Sequence, residues 1–119
     1  MTKSLVPLRV PTGWTISWNS FIELIPKDFK DEDYEHRWDF NEDLLQLVNN
    51  NKKKIIDLGW YPSNQPDGQF RLVVINQFDN QDEQITSWDN PILIICTREL
   101  KEVITRIEEV LLKISQDIM

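Results

Sequence analysis

The chain has 119 residues and a net charge of −7, from 13 Lys plus Arg against 20 Asp plus Glu, with one His and one Cys. That length fits a single domain burying roughly two-thirds of its surface, a core large enough to fold without staples. The charge argues against general DNA or RNA binding, which needs Lys and Arg on phosphates, and the lone Cys96 excludes an intramolecular disulfide and any CxxC motif.

Leu5 to Val10 is apolar but interrupted by Pro7, which cannot donate to a ladder, so an edge strand or extended arm is expected. Pro11-Thr12-Gly13 signals a turn. Trp14, Ile16 and Trp18 alternate with small polar residues, the period-2 pattern of a half-buried strand that places all three on one face. Phe21 to Ile25 continues extended up to Pro26, with a bulge expected near Asn19-Ser20. After an acidic segment, Asn41-Glu42-Asp43 opens a predicted short helix over residues 41–50, with Asp39 or Asn41 as cap and Leu44, Leu45, Leu47 and Val48 as its apolar face. Lys52-Lys53-Lys54 then reads as helix-end and strand-edge charge.

Ile55–Tyr61 and Gln69–Ile75 are predicted strands of one hairpin, with Asp67-Gly68 at its far end. A second acidic loop separates them from Ile92–Cys96, a continuous apolar run of central-strand type in which Cys96 is an inert buried thiol. Even this longest apolar run is far too short to span a bilayer, and no apolar run follows a basic start, so a cytoplasmic protein is expected. Leu100, Val103, Ile104, Ile107, Val110, Leu111 and Ile114 follow helical spacing over four turns, with Thr97 as N-cap and Glu102–Arg106 and Glu109–Lys113 as i, i+4 pairs. The predicted order is β-β-α-β-β-β-α. It describes an α+β domain whose mainly antiparallel sheet, of about five strands, is packed by a short middle helix and a long C-terminal helix.

The negative charge is localised. Residues 28–43 carry eight acids against Lys30 and Arg37, and residues 79–89 carry four acids and no base, while the remaining chain is net positive by three. Charged connections are ordinarily solvated and aid solubility. Here Phe29, Tyr34, Trp38 and Phe40 are interleaved with the first set, although solvating segments are usually poor in aromatics. Aromatic anchors ringed by charge have the composition of a protein-binding surface. The candidate partner-binding residues are therefore Asp31, Glu32, Asp33, Tyr34, Glu35, Trp38 and Asp39, with a second patch at Asp82, Glu83, Trp88 and Asp89. Trp14, Trp18 and Trp60 read instead as core side chains.

No signature of catalysis is present: there is no Gly-rich phosphate loop, GxSxG or HExxH, and nothing singles out a carboxylate pair. His36 stands among acids, but Arg37 beside it opposes a cation. A non-enzymatic protein with no cofactor and no metal is expected.

Pro7-Leu8-Arg9-Val10-Pro11-Thr12-Gly13-Trp14, Asp57-Leu58-Gly59-Trp60-Tyr61-Pro62, and Thr97-Arg98 leading into the last helix resemble small acidic proteins of Bacillus and its relatives. These are similar to the immunity proteins encoded beside polymorphic or contact-dependent toxins. The resemblance runs over most of the chain through strand and turn signatures, so it implies a functional class and no site residues. The implied partner is a cognate protein toxin, such as a basic nuclease domain whose phosphate-binding site the carboxylates would occupy; neither nucleic acid nor a membrane is an expected partner. Alternatives are a secretion chaperone, which needs a long apolar groove, and a small-molecule binder, which needs a concave pocket. A monomer or a weak homodimer through an exposed sheet edge suits all of these.

Overall fold

A computed structural model of the chain describes residues 4–119. Five strands make one antiparallel sheet in the order β1 (Thr15–Asn19), β2 (Leu45–Asn49), β3 (Lys54–Tyr61), β4 (Gln69–Asn76) and β5 (Leu93–Thr97). Helix α1 (Gln81–Trp88) joins β4 to β5, and α2 (Leu100–Ser115) closes the chain. This is the expected α+β class: an antiparallel sheet with one short and one long helix.

Strand alternation decides which side chains meet α2. Leu45 and Leu47 of β2, Ile56, Leu58 and Trp60 of β3, Phe70, Leu72 and Val74 of β4, and Ile95 of β5 share one face and one core. Val103, Ile107, Val110, Leu111 and Ile114 of α2 fill that core, all within 2 % of full burial. Their i, i+4, i+7 spacing gives the helix a single apolar stripe, so it lies flat on the sheet. α2 begins beside β5 and ends near β1 and β2, where the Trp14 indole donates to Ser115 Oγ (3.0 Å) and Lys52 pairs with Asp117 (2.8 Å). The N-terminal arm forms an isolated bridge at Leu5, paired with Ile22, buries Val6 in the core, and donates the Arg9 N–H to the Glu108 carboxylate (2.7 Å).

Residues 45–49, expected within a helix, form β2. The spacing of Leu44, Leu45, Leu47 and Val48 fits either period. Pairing with β1 on one side and β3 on the other supplies two ladders, which outweigh the propensity of a ten-residue helix that is marginal by itself. Asn41, offered as a cap, instead accepts the Asp43 N–H (2.9 Å) in a side-chain turn. The short helix lies in the second acidic segment, where Asn80 caps α1 by accepting the Glu83 N–H (3.0 Å).

Strand β1 also departs from expectation. The register slips between Ile16 and Trp18, two residues earlier than the bulge foreseen at Asn19-Ser20. One extra residue reverses the parity, so Trp18 lies opposite Gln46 on the face away from α2 and is 55 % exposed rather than core. β5 is an edge strand and not a central one, and Cys96 is exposed, because the run Ile92–Cys96 is covered on one side only. The α2 N-cap is Glu99; Thr97 Oγ1 accepts the Glu99 N–H and donates to Glu102. Glu102 is thereby engaged, and Arg106 meets Glu109 at 3.4 Å instead, so among the described residues neither expected i, i+4 ion pair forms.

Candidate functional site

The first acidic segment is an irregular loop pinned at one end of the sheet. Its aromatics divide by burial. Phe29 and Phe40 are buried and pack on Trp60 (6.4 and 4.8 Å between ring centroids), which itself meets Phe70 at 5.2 Å. Tyr34 is half-buried on Phe29 (5.4 Å) and Phe40 (6.3 Å), so its ring holds the loop to the core as much as it faces outward. Trp38 is the exception, at 66 % exposed. The segment leaves most of its acids outside while the rings of Phe29, Tyr34 and Phe40 pack against the sheet end.

Two residues clasp this loop to the β3–β4 connection. The Arg37 guanidinium donates to the carbonyls of Glu32 (2.9 Å) and Asn64 (3.1 Å), and lies 4.7 Å over the Trp38 ring. Asn64, in a left-handed conformation (φ 58°), returns amide bonds to the carbonyls of Arg37 and Phe40 (3.1 Å each) and donates its backbone N–H to Phe40 (2.7 Å). Asp31 accepts the Asp33 N–H (2.9 Å), and the Glu35 carboxylate lies 3.3 Å from the His36 imidazole. Asp31, Glu32, Asp33 and Glu35 are exposed; Asp39 is partly buried within a 3₁₀ turn. Sequence reasoning missed Arg37 and Asn64, since nothing local marks residues 37 and 64 as neighbours. Asn64→Gly, which keeps the backbone conformation and removes the amide, is expected to cost about 1–2 kcal/mol and to speed amide exchange at residues 37–40. Hydrogen-exchange mass spectrometry checks it; unchanged protection there would show that the clasp is idle.

The second acidic segment lies elsewhere. α1 follows the Asn76 end of β4, while the first segment abuts the Trp60–Asn64 end of β3, with eight ladder pairs between these ends. At about 3.4 Å per residue the two segments stand roughly 24 Å apart, so the fold does not merge them. Asp82 and Glu83 occupy the first turn of α1 and line a shallow groove of about 450 Å³ with Phe78, Thr86 and Asn90. Trp88 is 38 % exposed and Asp89 follows as C-cap.

The sheet face away from α2 carries a polar centre that the sequence did not single out. The row Trp18, Gln46, Asp57, Val73, Ile94 crosses all five strands. Asp57 accepts from Gln46 Nε2 (3.2 Å), and burial, with Asp43 adding to it against the pull of Arg71, pushes its carboxyl up to about 6. Burial likewise raises the Tyr61 phenol, whose ring lies 5.5 Å from the Arg71 guanidinium.

Among the described residues no group of three His, Cys, Asp or Glu side chains is placed to hold a metal ion, and no helix is long and apolar enough to cross a membrane. No family model matches the chain, and no curated protein and no solved structure matches it either.

Proposed function

We propose that this protein is a non-catalytic binding domain whose acidic loop, residues 31–39, docks on the basic face of a protein partner, and that it acts as an immunity protein neutralising a cognate toxin domain. The observation that carries the docking surface is Trp38, held open at 66 % exposure by the Arg37 guanidinium and flanked by exposed carboxylates. A rigid, protruding aromatic can fill a pocket with little loss of rotamer freedom. The surrounding carboxylates steer a basic partner and raise its association rate, most strongly at low salt. Pinning matters as much as charge, since a loop already ordered loses less entropy on binding. The toxin class rests on the sequence resemblance, and a nuclease with a basic phosphate-binding site is the partner whose charge fits best.

The test takes any toxin domain encoded beside this gene, co-expresses it with the chain and then titrates the pair by calorimetry. The variant Glu32→Gln/Asp33→Asn/Glu35→Gln and the single change Trp38→Ala are each expected to raise Kd by about tenfold or more. Both should leave the thermal midpoint within about 2 °C, because all four side chains are exposed. Asp31 is left intact because it holds the turn. Unchanged affinity in both variants would remove this loop as the docking surface, and failure of the wild-type chain to rescue growth would overturn the toxin reading.

A further inference from the structure

We propose that the free edge of β5 is a homodimer interface, at which β5 strands of two copies pair antiparallel about a two-fold axis at Ile95 and join the two sheets into one. The inference is independent of the acidic-loop reading, since β5 forms the opposite margin of the sheet from β1 and takes no part in residues 31–39.

The two sheet edges are built differently. β1 is interrupted by the register slip at Ser17, the kind of irregularity that spoils pairing with a further strand. β5 keeps unbroken register with β4 from Leu93 to Thr97, and residues 92–97 contain no Pro, Gly or charge. Among the described residues, the only backbone hydrogen bonds along Ile92–Thr97 run to β4, including Ile92 N–H to the Val74 carbonyl (2.7 Å). Such an edge presents unpaired N–H and C=O groups to any strand that fits.

The strand that fits best is β5 itself. With Ile95 on the axis, Ile94 lies across from Cys96 of the copy and Leu93 across from Thr97 of the copy. Each pair stays on its own face, because opposed residues in a ladder point the same way. Ile92 and Ile94, 43 % and 49 % exposed, and the exposed Cys96 then extend into the same row of the second copy. The flanks are complementary as well. Asp89 precedes the strand, while Arg98, Glu99 and Lys101 follow it with a net charge of one positive. Antiparallel pairing brings the acidic flank of each copy to the basic flank of the other. Asp89 and Lys101 are both exposed and, among the described residues, neither has an ion partner within the chain.

Sedimentation velocity on the full chain between about 1 and 100 µM is expected to show a monomer–dimer equilibrium. Ile94→Lys should raise the dimer Kd by about tenfold or more, whereas Ile16→Lys on the other edge should not. An independent arm uses the native thiol. Opposed residues have Cα atoms about 4.5–5.5 Å apart, within disulfide reach. Mild oxidation should therefore cross-link Ile94→Cys to Cys96 of the copy in a discrete covalent dimer. The wild type and Ile94→Cys/Cys96→Ser should stay uncross-linked. A monomer throughout the range, a dimer indifferent to Ile94→Lys, or equal cross-linking without Cys96 would overturn the proposal. So would a monomeric chain whose edge instead takes up an extended segment of another protein and loses it on Ile94→Lys.

Discussion

Trp60→Ala is expected to lower unfolding free energy by about 3–5 kcal/mol, the range for deleting a large buried aromatic. Trp60 is wholly buried, its indole N–H donates to the Gln65 carbonyl (2.9 Å), and its ring meets Phe29, Phe40 and Phe70. Arg98 lies over it at 5.3 Å while bonding the carbonyls of Pro66 and Gly68. The indole is packed so closely on Gly68 that even a methyl group there would strike it. Removing the ring thus opens a cavity and also withdraws the floor on which Phe29 and Phe40 seat the acidic loop. Urea denaturation measures the first effect. Partner affinity at 10 °C or so, where the variant is still folded, measures the second, with Trp38→Ala as reference for a loss that does not involve folding. A loss of stability below about 1 kcal/mol would mean that the site collapses around the gap.

Asp57→Asn is expected to stabilise the protein at neutral pH and to flatten its stability profile. The carboxyl is raised to about 6 in the folded chain from its ordinary 3.8, chiefly by burial. The folded state therefore binds the proton more tightly than the unfolded chain. The penalty is absent below about pH 4, grows as pH rises through 6, and is complete above it. Two pKa units would correspond to about 3 kcal/mol. Partial solvent access reduces that to roughly 1–2 kcal/mol. Asparagine keeps an acceptor for the Gln46 amide and removes the charge that Asp43 repels. The difference between variant and wild type should accordingly be near zero at pH 4 and reach its full value by pH 7.5, read from urea midpoints at each pH. A constant offset across that range would assign the effect to packing instead of ionisation.

Legibility in the sequence followed the strength of the local pattern. The β3–β4 hairpin and α2 were readable because a β-branched run and a four-turn apolar stripe each fit one period only. Residues 44–48 fit both periods, and the choice between helix and strand was made by ladders to β1 and β3, which no local window contains. α1 did carry a local signal, the capping sequence Asn80-Gln81-Asp82-Glu83. The density of acids around it gives the segment the composition of a solvated loop instead. Alternation puts Trp18 in the core only while the register holds, and one extra residue at Ser17 turns the indole over. For the site, composition was enough to locate the acidic aromatic loop and to exclude common catalytic motifs. It could not separate Trp38, which protrudes, from Phe29 and Phe40, which anchor, since that distinction depends on Trp60 arriving from a distant strand. The Arg37–Asn64 clasp was hidden for the same reason.

The separation of the two acidic segments by the length of the β3–β4 hairpin has an electrostatic consequence. At physiological ionic strength the screening length is about 8 Å, so charges roughly 24 Å apart are separated by about three such lengths. The molecule thus presents two negative poles that act nearly independently, and a charge change at Asp82 or Glu83 is scarcely felt at the Trp38 pole. Only at low salt, where screening extends to about 30 Å, do the poles merge into one field. Mutations at the α1 pole should then begin to alter the rate of encounter at the other.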